Sequence, residues 1–135
     1  MDGGEVGSGG AGQWPESLDA MTAAPGNHEV LLENDQVRVL DTRLGPGERT
    51  PVHTHPWPSV LYILSWSDII RYDADGNLLL DSRTLASRPE KGAAIWSAPL
   101  GPHSAKNVGN QELHVIAVEL KSPSSIASAG WDAGE

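Results

Sequence analysis

A chain of 135 residues is long enough for one domain with one core of ordinary size, and the lack of any cysteine excludes a disulfide framework, a thiolate metal site and a thiol nucleophile. The formal charge is −9, yet all nine lysines and arginines fall between residues 38 and 121, where twelve acids from residue 28 onward nearly balance them, so the tails are acidic and no basic footprint is offered to nucleic acid or anionic lipid. No apolar run approaches the roughly 20 residues that cross a bilayer, and residues 1–12 lack the basic start and apolar centre of a secretory signal, so a soluble, cytoplasmic protein without nucleic-acid or membrane partners is expected.

Residues 1–12 carry six glycines and almost no apolar bulk, and are expected to be disordered because little burial can offset their ordering entropy. Trp14 to Met21 reads as one short helix. Pro15 suits a first helical position, the acids suit a helix N-terminus, and Trp14, Leu18 and Met21 have the spacing of an apolar strap against the main body. From His28 the pattern becomes one of strands. Val30–Glu33 is short and apolar, Asn34-Asp35 turns the chain, and Val37–Leu44 alternates with a mixed second half. Gly45-Pro46-Gly47 ends that strand. Ser59–Trp66 is apolar and partly β-branched, as a buried strand would be. Asp68–Asp73 and Leu78–Leu85 flank an Asp-Gly hairpin turn at Asp75-Gly76. Ala93–Ser97 is a short strand, Pro99–Pro102 a tight turn, His103–Val108 an extended segment and Glu112–Lys121 the last strand. No amphipathic helix interrupts residues 28–121, and turn signals recur every eight to twelve residues, which predicts an antiparallel sandwich or barrel. Residues 122–135, rich in Ser, Ala and Gly, read as a mobile tail, with Trp131 a lone aromatic in it.

His53 and His55 stand two apart, after the Gly-Pro-Gly turn and between prolines. On an extended strand, alternation puts both imidazoles on one face, and neutral imidazole is the commonest metal ligand. The alternative is a pair of histidines on a solvated face. A second segment, Pro99-x-Gly101-x-His103-x3-Asn107, follows Gly92 and supplies a third histidine.

Together the two segments resemble the two motifs of the cupin superfamily, small double-stranded β-helix barrels of the RmlC-like jelly-roll type. Val37–Leu40 is similar to the opening strand of small single-domain cupins, and Asn107–Lys121 to their closing strands. The resemblance covers residues 28–121 and implies an all-β, antiparallel cupin barrel, with 1–27 as a flexible segment carrying a short helical or irregular strap and 122–135 as a flexible tail. It implies that His53, His55 and His103 bind a divalent metal. A carboxylate usually follows the first histidine pair by four or five residues, but those positions here are Ser59 and Val60, and the second motif is one residue short between Gly101 and His103. What is left resembles the three-histidine variant of some cupin dioxygenases.

Three imidazoles suit Fe, Zn, Ni, Mn or Cu better than Mg or Ca, and three protein ligands leave positions open for chemistry. Without a carboxylate the ion keeps its full charge and favours a small, anionic substrate. Fe(II) is the favoured ion on the dioxygenase resemblance. Some cupins bind no metal, and there the histidines would only hydrogen-bond within a ligand pocket. Tyr62 and His114 are the candidate catalytic proton carriers, though His114 reads more readily as a satisfied structural histidine. His28 is expected at a solvated strand edge, and Glu48, Glu112 and Glu119 as solvated charges, Glu119 turning inward only if the strand register shifts. Tyr62, Trp66 and Trp96 are expected in the core, and Trp57 at the barrel mouth. Arg49 and Arg71 could hold a substrate carboxylate, though both read as surface residues. The expected function is a metal-dependent small-molecule enzyme, a three-histidine Fe(II) dioxygenase in its most specific form. The alternatives are a redox-neutral isomerase or lyase and a non-catalytic ligand-binding cupin. Pairing of such barrels as homodimers is also expected, since edge strands otherwise stay exposed.

Overall fold

In the computed structural model, residues 13–121 are described; the disorder expected for 1–12 and the tail expected at 122–135, Trp131 included, lie outside them. Nine strands follow the chain: β1 (His28–Glu33), β2 (Val37–Leu44), β3 (His53–His55), β4 (Ser59–Ser65), β5 (Ile69–Asp73), β6 (Leu78–Asp81), β7 (Ala94–Ser97), β8 (Leu100–Asn107) and β9 (Leu113–Leu120). They form two antiparallel sheets, ordered β1-β2-β9-β4-β7 and β3-β8-β5-β6. The expected all-β, double-stranded β-helix is the fold observed.

Side-chain alternation sets the inner faces. In β9, Leu113, Val115, Ala117 and Glu119 are buried, while His114, Ile116, Val118 and Leu120 take the other face. In β2, Arg38, Leu40 and Leu44 are the buried set. Leu44, Ile63, Ile69, Leu113 and Val115 form the core, with Leu61, Trp66, Ala93, Ile95 and Ala105 packed against it. Tyr62 and Trp96, expected there, are 44% and 62% exposed. Tyr62 falls in the outward register of β4, opposite Ile116 of β9.

The strap is two pieces rather than one helix. A 3-10 turn at Glu16–Leu18 precedes the four-residue α1 (Ala20–Ala23), and Asp19 between them caps α1 by accepting from Met21 N at 3.0 Å. The strap lies over the seam between the sheets. Asp19 bridges to Thr54 of β3, and Ala24 at the end of α1 hydrogen-bonds His28 of β1. Trp14 reaches Gly101, where an added Cβ would lie 3.2 Å from the indole. That contact helps explain why residues 100–102 run as strand instead of turning: Leu100 pairs with His55 and Gly101 leaves room for the ring. The strand expected over Leu78–Leu85 stops at Asp81, whose carboxylate accepts from Arg83 N and starts a 3-10 turn at Ser82–Thr84. No helix among the described residues is long and apolar enough to cross a membrane.

Candidate metal centre

The edge strands β1 and β3 belong to different sheets and approach each other beneath the strap. His53 and His55 come from β3, and His103, directly opposite His53, comes from β8. His28 joins them from the start of β1 and is 5% exposed, not solvated as expected. Its position follows from sheet order: β1 is the outer strand of its sheet at the seam. The ring of His28 lies 5.1 Å from that of His53 and 5.2 Å from that of His55. His103 lies 4.4 Å from His53 and 5.8 Å from His55 between ring centroids. One ring nitrogen from each of His28, His53 and His55 can be chosen so that all lie within 4.8 Å of one another.

Each imidazole is fixed through Nδ1. That atom lies 2.9 Å from Ala24 O in His28, 2.8 Å from Pro51 O in His53 and 2.7 Å from Gly101 O in His103. A carbonyl can only accept, so these Nδ1 atoms carry the hydrogen and the Nε2 lone pairs remain for a cation. His55 Nδ1 lies 2.9 Å from Glu119 Oε2, which sets the same tautomer when the carboxylate is ionised. Burial, reinforced by positive neighbours, keeps all four neutral. It pulls His28 and His53 down to about 4, His55 to about 3 and His103 to about 2. Neutral imidazoles oriented by outer acceptors suit a divalent transition metal, and His28, His53 and His55 are the three whose ring nitrogens come close enough to share one.

Glu119 is 0% exposed, contrary to its expected solvation. The inward register of β9 places it among charged partners. Its Oε1 accepts from Arg38 Nε at 2.6 Å, and Arg38 in turn holds Asp19 through two bonds of 2.8 and 3.0 Å. Burial raises the Glu119 carboxyl from its ordinary value and Arg38 opposes that shift. The network thus runs from His55 to the strap. Arg38 also stacks on Trp57, its guanidinium carbon 4.9 Å from the ring centroid. Neither Glu48 nor Glu112 approaches the cluster: Glu48 caps Gly45 N at 2.7 Å, and Glu112 lies 3.7 Å from Arg43.

The histidines open into a cavity of about 300 Å³ lined chiefly by apolar side chains from both sheets, among them Leu61, Ile63, Ile95, Leu113 and Val115. Neither Tyr62 nor His114 is among the lining residues. His114 lies in the outward set of β9 with Nε2 3.1 Å from both oxygens of Asp41. Arg71 lines the cavity instead of the surface, whereas Arg49 is exposed and sits over Tyr72 at 4.4 Å.

No protein-family model and no curated protein matches the chain. Among solved structures, a cupin domain from Bordetella pertussis Tohama I is similar, at 20% identity and a TM-score of 0.57 over 70% of this chain and 92% of that one. An RmlC-like cupin family protein with a double-stranded β-helix fold from Methanocaldococcus jannaschii is similar at 16% identity and a TM-score of 0.51, over 74% of this chain and 84% of that one. Their likeness, with the sheet order and the inward histidines, shows that this chain has the double-stranded β-helix fold of the cupins.

Proposed function

We propose that the protein is a metal-dependent enzyme acting on a small organic molecule inside the barrel, and in its most specific form an Fe(II) dioxygenase. The observation that carries this reading is that ring nitrogens of His28, His53 and His55 come within 4.8 Å of one another while each Nδ1 is held from behind, by a backbone carbonyl in His28 and His53 and by Glu119 in His55. His28, His53 and His55 would hold the ion, with His103 beside them. When bound, Fe(II) would supply Lewis acidity and redox access to O2; Zn, Ni, Mn or Cu are alternatives, since imidazole donors follow the general divalent series.

The chain's own residues would do the rest. The apolar walls would exclude water from the reacting molecule and limit side reactions. The cavity lining contains no Asp, Glu, Tyr or Lys among the described residues. Tyr62 and His114, the proton carriers expected for a redox-neutral reaction, lie outside that lining, so His103 is the group that would have to serve in the redox-neutral alternative. The test is elemental analysis of protein purified without a nickel column, with O2 uptake measured on the same sample. About one ion per chain in the parent and loss of most of it in His53→Ala and His55→Ala are expected. Stoichiometric metal absent from the parent, or retained in both folded variants, defeats the reading and leaves a ligand-binding barrel.

A further inference from the structure

Arg71 is placed where a structural arginine has no reason to be. On β5 it lies opposite Ala105 of β8 and Leu80 of β6, and all three line the cavity. Its strand neighbour Asp73 stands opposite His103. Arg71 is therefore a diagonal neighbour of His103 on the inner face, about 7 Å away between Cβ atoms in such pairs and within reach of a long side chain. Among the described residues, Arg71 Nε is the one buried side-chain nitrogen or oxygen without a hydrogen-bond partner. No acidic side chain pairs with the guanidinium among the described residues. Arg43, the other arginine lining the cavity, is already paired with Asp41 at 3.0 Å. A half-buried guanidinium without a counter-charge weakens the fold unless a ligand satisfies it.

We infer that Arg71 is the anchor for the carboxylate of a small organic acid whose apolar body fills the cavity. A guanidinium presents its donors in a planar fork that matches a carboxylate bidentately. The walls opposite, Leu61, Ile63, Ile95 and Val115, ask for an aliphatic or aromatic body, and the cavity of about 300 Å³ admits a compact one. The lining holds two arginines and no lysine, and of the two only Arg71 lacks an acidic partner among the described residues. The single fork favours a monoanion over a phosphate, whose second charge would have no partner. The inference rests on the proposed small-molecule function and names its substrate class, but it does not require the metal.

The test is calorimetric binding of benzoate, benzamide and phenyl phosphate to the full chain at pH 7.5, as purified and after chelation, in parent, Arg71→Lys and Arg71→Met. Benzoate should bind at least 10-fold tighter than either comparator. That preference should vanish in Arg71→Met and fall in Arg71→Lys, which keeps the charge but loses the fork. Arg71→Met should melt no lower than the parent, because no protein partner is lost. Phenyl phosphate binding as tightly as benzoate, equal benzoate binding by parent and Arg71→Met, or a melting point lowered by several degrees in Arg71→Met would each overturn the assignment. Arg71-dependent benzoate binding in protein that holds no metal upholds the anchor while removing the metal reading; metal retained without benzoate binding does the reverse.

Discussion

Glu119 of β9 faces Ser59 of β4 across the sheet, both on the inner side and both buried. Ser59 occupies one of the positions where the cupin motif would carry its carboxylate. A carboxylate absent from that position is supplied by the facing residue on the neighbouring strand. It meets His55 at Nδ1, however, so it orients a histidine from behind instead of adding a ligand.

Glu119→Gln should therefore lower metal affinity about 10- to 100-fold, the usual cost of losing an outer-shell carboxylate. Chelator competition measures it. Glu119→Ala should also destabilise the fold by about 3 kcal/mol, because Arg38 would keep only Asp19 as an ionic partner. An unchanged affinity in Glu119→Gln would show that His55 is held without it.

Acid should unfold the metal-free protein early. An unfolded histidine takes up a proton near its ordinary 6.5, whereas His28 and His53 stay neutral down to about 4 in the fold. Between those values the unfolded chain binds more protons, so stability is full above pH 6.5 and is lost as pH falls toward 4. Each imidazole that stays neutral in the fold contributes about 1.4 kcal/mol per pH unit. Denaturant titrations at pH 7.5, 6 and 5 should show falling midpoints. His53→Gln should flatten the dependence.

Asn107→Ala should cost about 3 kcal/mol without touching the histidines. Asn107 is 0% exposed and fully used: Nδ2 donates to Leu44 O and Gln111 O, and Oδ1 accepts from Ser67 Oγ and Gly109 N. Removing the amide strands four partners, of which Leu44 and Ser67 are buried. Chemical denaturation checks the loss, and an unchanged metal content separates it from the centre.

Asp19→Ala should loosen the strap over the seam. It removes both bonds to Arg38 and the cap on Met21 N. A loss of about 2 kcal/mol and faster amide exchange across residues 14–24 are expected. If exchange there is unchanged, the strap is held by its apolar contacts alone, Trp14 on Gly101 among them.

Much of this protein can be read along the chain. Turn residues at regular spacing, alternation in Val37–Leu44 and Leu113–Leu120, and the His53-x-His55 pair specify strands and put two imidazoles on one face, because those signals are local and periodic; His103 joins them only through the resemblance to the cupin motifs, and β3–β8 pairing sets it opposite His53. His28, Glu119 and Arg71 could not be placed that way. Each is a lone polar residue whose direction depends on which strand lies beside it. Only the closure of the two sheets, with β1 and β3 at the seam and β9 beside β4, turns all three inward. A register of one residue decides between core and solvent, and pairing partners far along the chain set that register.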